Sequence, residues 1–244
     1  MTSTSERRLV FLDATVLAAP TTRSLLLFGQ LHRDARYRAC WSLEAETEAD
    51  TALMRRSDEM HGRLGRTISP VLVSDLRRRT VWGADVLVPS APEVAESLGD
   101  THTDDRHILA AAAAASARLI VTVDVDDFGR ADLSRLGISV VNPDVYMARV
   151  MTESMYRFTL ERLAGHRTLA PNTPEAIHES LARVHPRLVA AMRTVYPGAE
   201  PPTPMDASPR SVFRGDRCIV CGRRLTGAES LAGGVGPECR QSHS

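Results

Sequence analysis

Residues 104–128 read DDRHILAAAAAASARLIVTVDVDDF, and this stretch decides the fold. Alanine is the strongest helix former, so Asp104 to Arg118 is predicted as a helix. Leu119 to Val123 is apolar and β-branched, which predicts a buried strand. Acids lie at the start of the helix (Asp104, Asp105) and just past the strand (Asp124, Asp126, Asp127). Working outward, Ile138 to Val141 is another short strand, between Gly137 and Asn142-Pro143. On the other side, RLVFL (8–12) is a strand that ends at Asp13, and Tyr37 to Trp41 is a second. Val86 to Val88, stopped by Pro89, is a third. Helical patterns fall between them at Thr21 to His32, Leu43 to Glu59 and Val71 to Arg79. Strands alternating with helices predict an α/β fold, a parallel sheet sandwiched by helices. In such sheets, sites form beyond the carboxyl ends of the strands.

From Met147 to about Tyr196 the pattern is helical, with Thr173 and Pro174 as cap and first residue of one helix. Residues 197–216 are proline-rich and read as an extended linker. The chain thus divides into an α/β domain (1–150), a helical extension (151–196), the linker, and a small module (217–244).

Zero net charge gives no sign of a nucleic-acid binder, but all thirty basic side chains are arginine. Any phosphate contact must then come from a guanidinium, which suits bidentate recognition. No apolar run approaches the ~20 residues that cross a bilayer. Residues 1–8 lack the apolar core of a secretion signal. A cytoplasmic protein with no membrane partner is expected.

Asp13, Asp105, Asp124 and Asp127 come from distant segments, yet a parallel sheet can gather them at one edge. Glu44, Glu46 and Glu48 follow the second strand and can join them. Clustered carboxylates repel one another, and a divalent cation removes that conflict. Oxygen-only ligands suit Mg²⁺ or Mn²⁺, which activates water and stabilises charge on a phosphodiester. Each acid also has a plainer reading. A strand-end Asp often caps a turn, Asp104 or Asp105 favours a helix N-terminus, and Asp126-Asp127 reads equally as a solvated loop.

VFLDATVL (10–17) resembles the opening of PIN-domain nucleases, an apolar strand followed by Asp. The stretch 104–128 is similar to that family's helix-opening Asp, strand, and Thr-x-Asn/Asp-x-x-Asp-Phe. GISVVNPDVY and LAPNTPEAIHESLARVHPRLVAAM resemble the last strand and C-terminal extension of its bacterial toxin branch. The resemblance implies a metal-dependent endoribonuclease, the toxin of a toxin–antitoxin pair. RNA would be its substrate, an antitoxin protein its partner, and a homodimer its assembly. Carried over by position, Asp13, Glu48, Asp105, Asp124 and Asp127 are the catalytic acids, with Mg²⁺ or Mn²⁺ on Asp13, Asp105 and Asp124. Glu48 follows from counting from Ser42, with Glu44 and Glu46 as rivals. Thr122 and Arg106 are candidate substrate contacts, and His107 reads as a structural hydrogen-bonding residue. Thr15 stands where the family often has Asn or Ser; its hydroxyl can still bind a water or backbone group. A non-catalytic scaffold that binds RNA or protein, and a nuclease acting on DNA, stay open as alternatives.

Cys40 stands alone and reads as buried in a strand. Cys218-Ile-Val-Cys221, Cys239 and His243 match the spacing of tetrahedral Zn²⁺ ligands, with a water, another residue or a second chain as alternatives to His243 for the fourth position. The module is too short for a hydrophobic core of its own, so a metal staple is expected. CGRRLTGAESLAGGVGPEC (221–239) resembles a small domain of uncharacterised function with the pattern CxxCGRxL…S…GxGPxC. Arg217, Arg223, Arg224 and Arg240 make the module basic, so nucleic-acid contact and a purely structural or protein-binding role are both expected readings.

Overall fold

A computed structural model describes residues 7–64, 87–197 and 211–241, the side chains of 57–64 and 241 excepted. The helix expected at Val71 to Arg79, the proline-rich stretch 198–210 and His243 lie outside the described residues. The fold is α/β. Six strands form one sheet in the order β3-β2-β1-β4-β5-β6. They are β1 (Arg8–Leu12), β2 (Tyr37–Ser42), β3 (Leu87–Val88), β4 (Leu119–Val121), β5 (Ser139–Val141) and β6 (Phe213–Arg214). The first five are parallel neighbours, and β6 runs antiparallel to β5.

Each crossover carries a helix for the reason its sequence gives. Pro20–Gly29 opens on Pro20, whose fixed φ suits a first turn. Leu43–Leu64 follows β2 directly, with Glu44 and Glu46 in its first turn. The alanine-rich segment divides into a 3-10 turn, Thr103–Asp105, and a helix, Arg106–Ala114. Ala110, Ala111 and Ala112 are buried, because small side chains let the helix lie close on the sheet. Arg130–Leu136 ends at Gly137 in the left-handed conformation, the common glycine C-cap. Phe11, Leu12, Ile120, Val121, Val140 and Val141 form the centre of the core.

The helical region is built from Pro143–Val150, Glu153–Gly165, Pro174–Leu181 and Pro186–Ala191. Thr173 Oγ1 accepts from Ala176 N and caps the third of these, as its sequence predicts. The carboxylate of Asp144 accepts from the Leu188 N–H at 2.9 Å and the Arg187 N–H at 3.1 Å, joining the last helix to the first. His185 is buried, with Nε2 2.9 Å from Thr22 Oγ1 and Nδ1 without a hydrogen-bond partner among the described residues. Burial pushes this imidazole down from 6.5 to about 4. The unfolded chain therefore takes up a proton near pH 6.5 that the folded chain refuses until about pH 4. Stability from this group is complete above about pH 6.5 and is lost as pH falls toward 4, by roughly 3 kcal/mol. Denaturant titrations between pH 7 and 4 are expected to show a shallower decline for His185→Gln than for the wild type. Parallel declines would contradict this.

Among the described residues, no helix is long and apolar enough to cross a membrane.

Candidate functional site

The chain lays down β1 at the centre, builds β2 and β3 to one side, then returns to place β4 and β5 on the other. The reversal lies between β1 and β4, the topological switch point where open α/β sheets form ligand crevices. Asp13 and Thr122 are the residues that leave these two strands. Thr122 Oγ1 donates to Asp13 Oδ2 at 2.6 Å, and Thr15 Oγ1 donates to the same oxygen at 2.7 Å. Asp13 Oδ1 accepts from the Ala14 N–H at 2.6 Å. Asp13 is only 3% exposed, so these bonds fix its carboxylate in one orientation. The plain reading of Asp13 as a turn cap holds for Oδ1 alone; Oδ2 is held by two hydroxyls. Thr122 also accepts from the Asp124 N–H at 3.0 Å, which links the β4 turn to Asp13.

The other acids differ in surroundings. Asp105 is the N-cap residue of Arg106–Ala114 but makes no side-chain capping bond. Burial pushes its carboxyl up to about 6, helped by the charges of Asp13 and Asp127 and opposed by His102 and His107. Glu48 is also raised, first by burial, then by Asp13, Asp104 and Glu44, against the lowering by His107. His107 Nε2 lies 3.1 Å from Glu48 Oε1 but out of line for a hydrogen bond, so that contact is electrostatic. Glu46 is buried and accepts from Trp41 Nε1 at 3.3 Å. Glu44 accepts from the Ser90 hydroxyl, which leads the causes holding its carboxyl below the ordinary range. Of the three glutamates, Glu48 faces the charge of Asp13. Asp124 opens the 3-10 turn Val125–Asp127, and Asp127 is the acid of that turn whose field reaches Asp105. Arg106 ties Nε to the Thr101 carbonyl at 3.1 Å, an anchoring contact.

A scaffold that sequence reading missed holds the two acid-bearing segments together. Asp132 is buried, and its Oδ2 accepts from the Asp100 and Thr101 N–H groups, both at 2.9 Å. Asp100 Oδ2 accepts from the Ala131 N–H at 2.9 Å. Gly129 sits where a Cβ would lie 2.3 Å from the Asp100 carbonyl carbon, so only glycine permits this approach. The His102 N–H donates to the Asp127 carbonyl at 2.8 Å and completes the clip.

Among the described residues, three ligand atoms come within 4.8 Å of one another only at Cys218, Cys221 and Cys239. The acids are spaced more widely. Mg²⁺ commonly binds through one or two carboxylates and several waters, so such an ion would not need three acids in contact. Burial and neighbouring carboxylates both disfavour the charged forms of Asp105 and Glu48, a conflict that a divalent cation could relieve.

The cysteine module follows β6. Cys218 and Cys221 lie on a turn closed by the Gly222 N–H donating to the Cys218 carbonyl at 2.8 Å. Cys239 comes from the short helix Pro237–Gln241. Burial raises the Cys218 thiol, but the backbone N–H groups of Gly236, Cys221 and Val220 outweigh it and lower its pKa. Burial, with the two neighbouring sulfurs, pushes Cys239 up to about 12. This trio could hold a zinc ion: tetrahedral thiolates stand about 3.8 Å apart around a Zn–S bond of about 2.3 Å. A cavity of about 300 Å³ adjoins the sulfurs, lined among others by Arg223, Thr226, Ser230 and Glu238. Cys40 is buried in β2, as its sequence suggests.

Residues 208–244 match the model of a family of unknown function, DUF6011. The match spans β6 and all three clustered cysteines. Neither the curated proteins nor the solved structures offer a match to the chain. The matched family covers none of the α/β body before residue 208. In the DUF6011 region the arginines are largely paired. Arg224 Nε donates to Asp216 at 2.9 Å, Arg223 pairs with Glu238 at 2.5 Å, and Arg240 pairs with Glu229. Those pairs reduce the basic character that composition alone suggests.

Proposed function

We propose that this chain is a metal-dependent endoribonuclease that hydrolyses RNA phosphodiester bonds and acts as the toxin of a toxin–antitoxin pair. The observation that carries the reading is Asp13 at the β1/β4 switch point, its carboxylate held by Thr15 and Thr122. Two further carboxyls, Asp105 and Glu48, are raised in part by its charge. The likeness of residues 10–17 and 104–128 to PIN-domain nucleases supports the same chemistry. Asp13, Asp105 and Asp124 would hold Mg²⁺ or Mn²⁺. A bound cation supplies an acidified water and charge stabilisation at the phosphate. Asp13 offers a fixed anionic anchor because its hydroxyl partners leave it one orientation. Glu48 adds negative charge near Asp13 and Asp127 adds it near Asp105, and His107 tempers Glu48. An antitoxin protein that covers the acids, and a homodimer, belong to the same proposal. In the C-terminal module, Zn²⁺ on Cys218, Cys221 and Cys239 would take His243 as its fourth ligand.

The test is cleavage of a pool of structured and unstructured RNAs. The wild type is expected to cleave only with Mg²⁺ or Mn²⁺, and Asp105→Asn is expected to lose most of that activity. RNA bound but never cut by the wild type would point instead to a non-catalytic binding module. DNA cut in preference to RNA would reassign the substrate.

A further inference from the structure

The C-terminal module and the acidic turn are not separate bodies joined by a tether. β6 extends the sheet by pairing Val140 with Arg214 and Val141 with Phe213. The Asn142 N–H donates to the Val212 carbonyl at 2.9 Å, and the Arg217 N–H donates to Ser139 Oγ at 2.8 Å. From this strand Arg214 reaches across to the turn after β4. Its Nη1 donates to the Asp126 carbonyl at 3.1 Å and the Phe128 carbonyl at 2.9 Å. Its Nη2 donates to Asp126 Oδ1 at 2.6 Å, and the Ser211 N–H donates to Asp126 Oδ2 at 3.2 Å. The two carbonyls flank Asp127, whose own carbonyl is held by His102. Three successive carbonyls of the acid-bearing turn are thus occupied, two of them by one arginine from the module.

The other side of β6 leads to the cysteines. Gly234 has φ +66°, and a Cβ there would lie 2.8 Å from the Phe213 ring and 2.6 Å from Ile219 Cδ1. The Ile219 N–H donates to the Gly234 carbonyl at 2.8 Å, one residue from Cys218. The path from the sulfurs to Asp127 therefore runs through packed residues and hydrogen bonds: Cys218, Ile219, Gly234, Phe213, Arg214, Asp126.

We propose that Arg214 is a positioning residue of the acidic site, and that metal held by Cys218, Cys221 and Cys239 keeps it in place. The acidic turn then has its full order only when the cysteine module is loaded. Its catalytic consequence rests on the nuclease reading; its structural part does not.

Hydrogen exchange on the full chain tests it, with zinc present and with zinc stripped, and RNA cleavage is measured alongside. Zinc removal is expected to speed exchange of residues 124–129 about tenfold or more, while strands 8–12 and 119–121 stay protected. Re-adding Zn²⁺ restores protection in the wild type but not in Arg214→Ala. In zinc-loaded Arg214→Ala, kcat is expected to fall about 10- to 100-fold with KM little changed. Arg214→Lys keeps the charge but cannot hold both carbonyls and the carboxylate, and should fall between. If Arg214→Ala loses protection throughout the sheet, Asp126→Asn decides, since it removes the ion pair from the side of the turn and changes no residue of the module. Unchanged exchange of 124–129 after zinc removal overturns the proposal. Faster exchange with unaltered kcat overturns the positioning role. A wild type that cuts no RNA sinks the nuclease reading, and exchange still decides whether zinc orders the acidic turn through Arg214.

Discussion

Cys218→Ser is expected to abolish zinc binding and unfold the cysteine module, leaving the α/β body folded. The apolar side chains buried in the module include Ile219, Val220, Leu225 and Val235, few for some thirty residues even where they join the core of the body. Structural zinc contributes on the order of 10 kcal/mol to the folding of modules of this kind. Cys218 is 2% exposed and its thiol is lowered by nearby backbone N–H groups, so a shorter, harder hydroxyl cannot replace its thiolate. Metal analysis should find about one zinc per wild-type chain and almost none in the variant. Exchange protection over 218–240 should vanish in the variant while β1 and β4 keep theirs. A variant that binds zinc as the wild type does, with its module protected, would contradict the three-cysteine site.

The second large effect is at Asp13. Asp13→Asn removes one charge with almost no change in shape. The Ala14 N–H can still donate to the amide oxygen, and the Thr15 and Thr122 hydroxyls can turn to accept from the new NH₂ group. Stability is therefore expected to change by no more than about 1 kcal/mol. If Asp13 anchors the cation as proposed, cleavage is expected to fall by at least about 100-fold. Apparent affinity for Mn²⁺ should weaken in the same variant. Cleavage within about threefold of the wild type would remove Asp13 from the chemistry, whatever its place in the fold. A large loss of stability would instead show that the buried charge serves the core.

Much of the fold was legible because its signals are local. RLVFL, LIV and SVV are short apolar runs with turn residues or acids beside them, and each is a strand. Thr173-Pro174 marks a helix start by capping chemistry alone. β4 ends at Val121, two residues before its apolar run does, because the Thr122 side chain turns to Asp13 and Asp124. The cysteine trio was legible from spacing, since a metal site needs few residues at defined intervals. What sequence could not show is tertiary. Phe213–Arg214 follows a proline-rich stretch and is two residues long, so no periodicity announces it as a strand. Asp126 reads as solvated until an arginine 88 positions away arrives beside it. Glu46 differs from Glu48 only by facing Trp41, a distinction that needs the turn of the helix in space. Asp132, buried under two backbone N–H groups, carries no sequence signal at all.

If the acidic site drives attack of water on a phosphodiester, as proposed, the chemistry of the new ends will show it. A defined RNA would be cut by the wild type in ¹⁸O-water with Mg²⁺ or Mn²⁺, and the fragments read by mass. Water attack predicts plain phosphate and hydroxyl ends, one solvent oxygen in each new phosphate, and neither product from Asp13→Asn. Fragments ending in 2′,3′-cyclic phosphate, or formed equally by Asp13→Asn or without metal, would contradict the account.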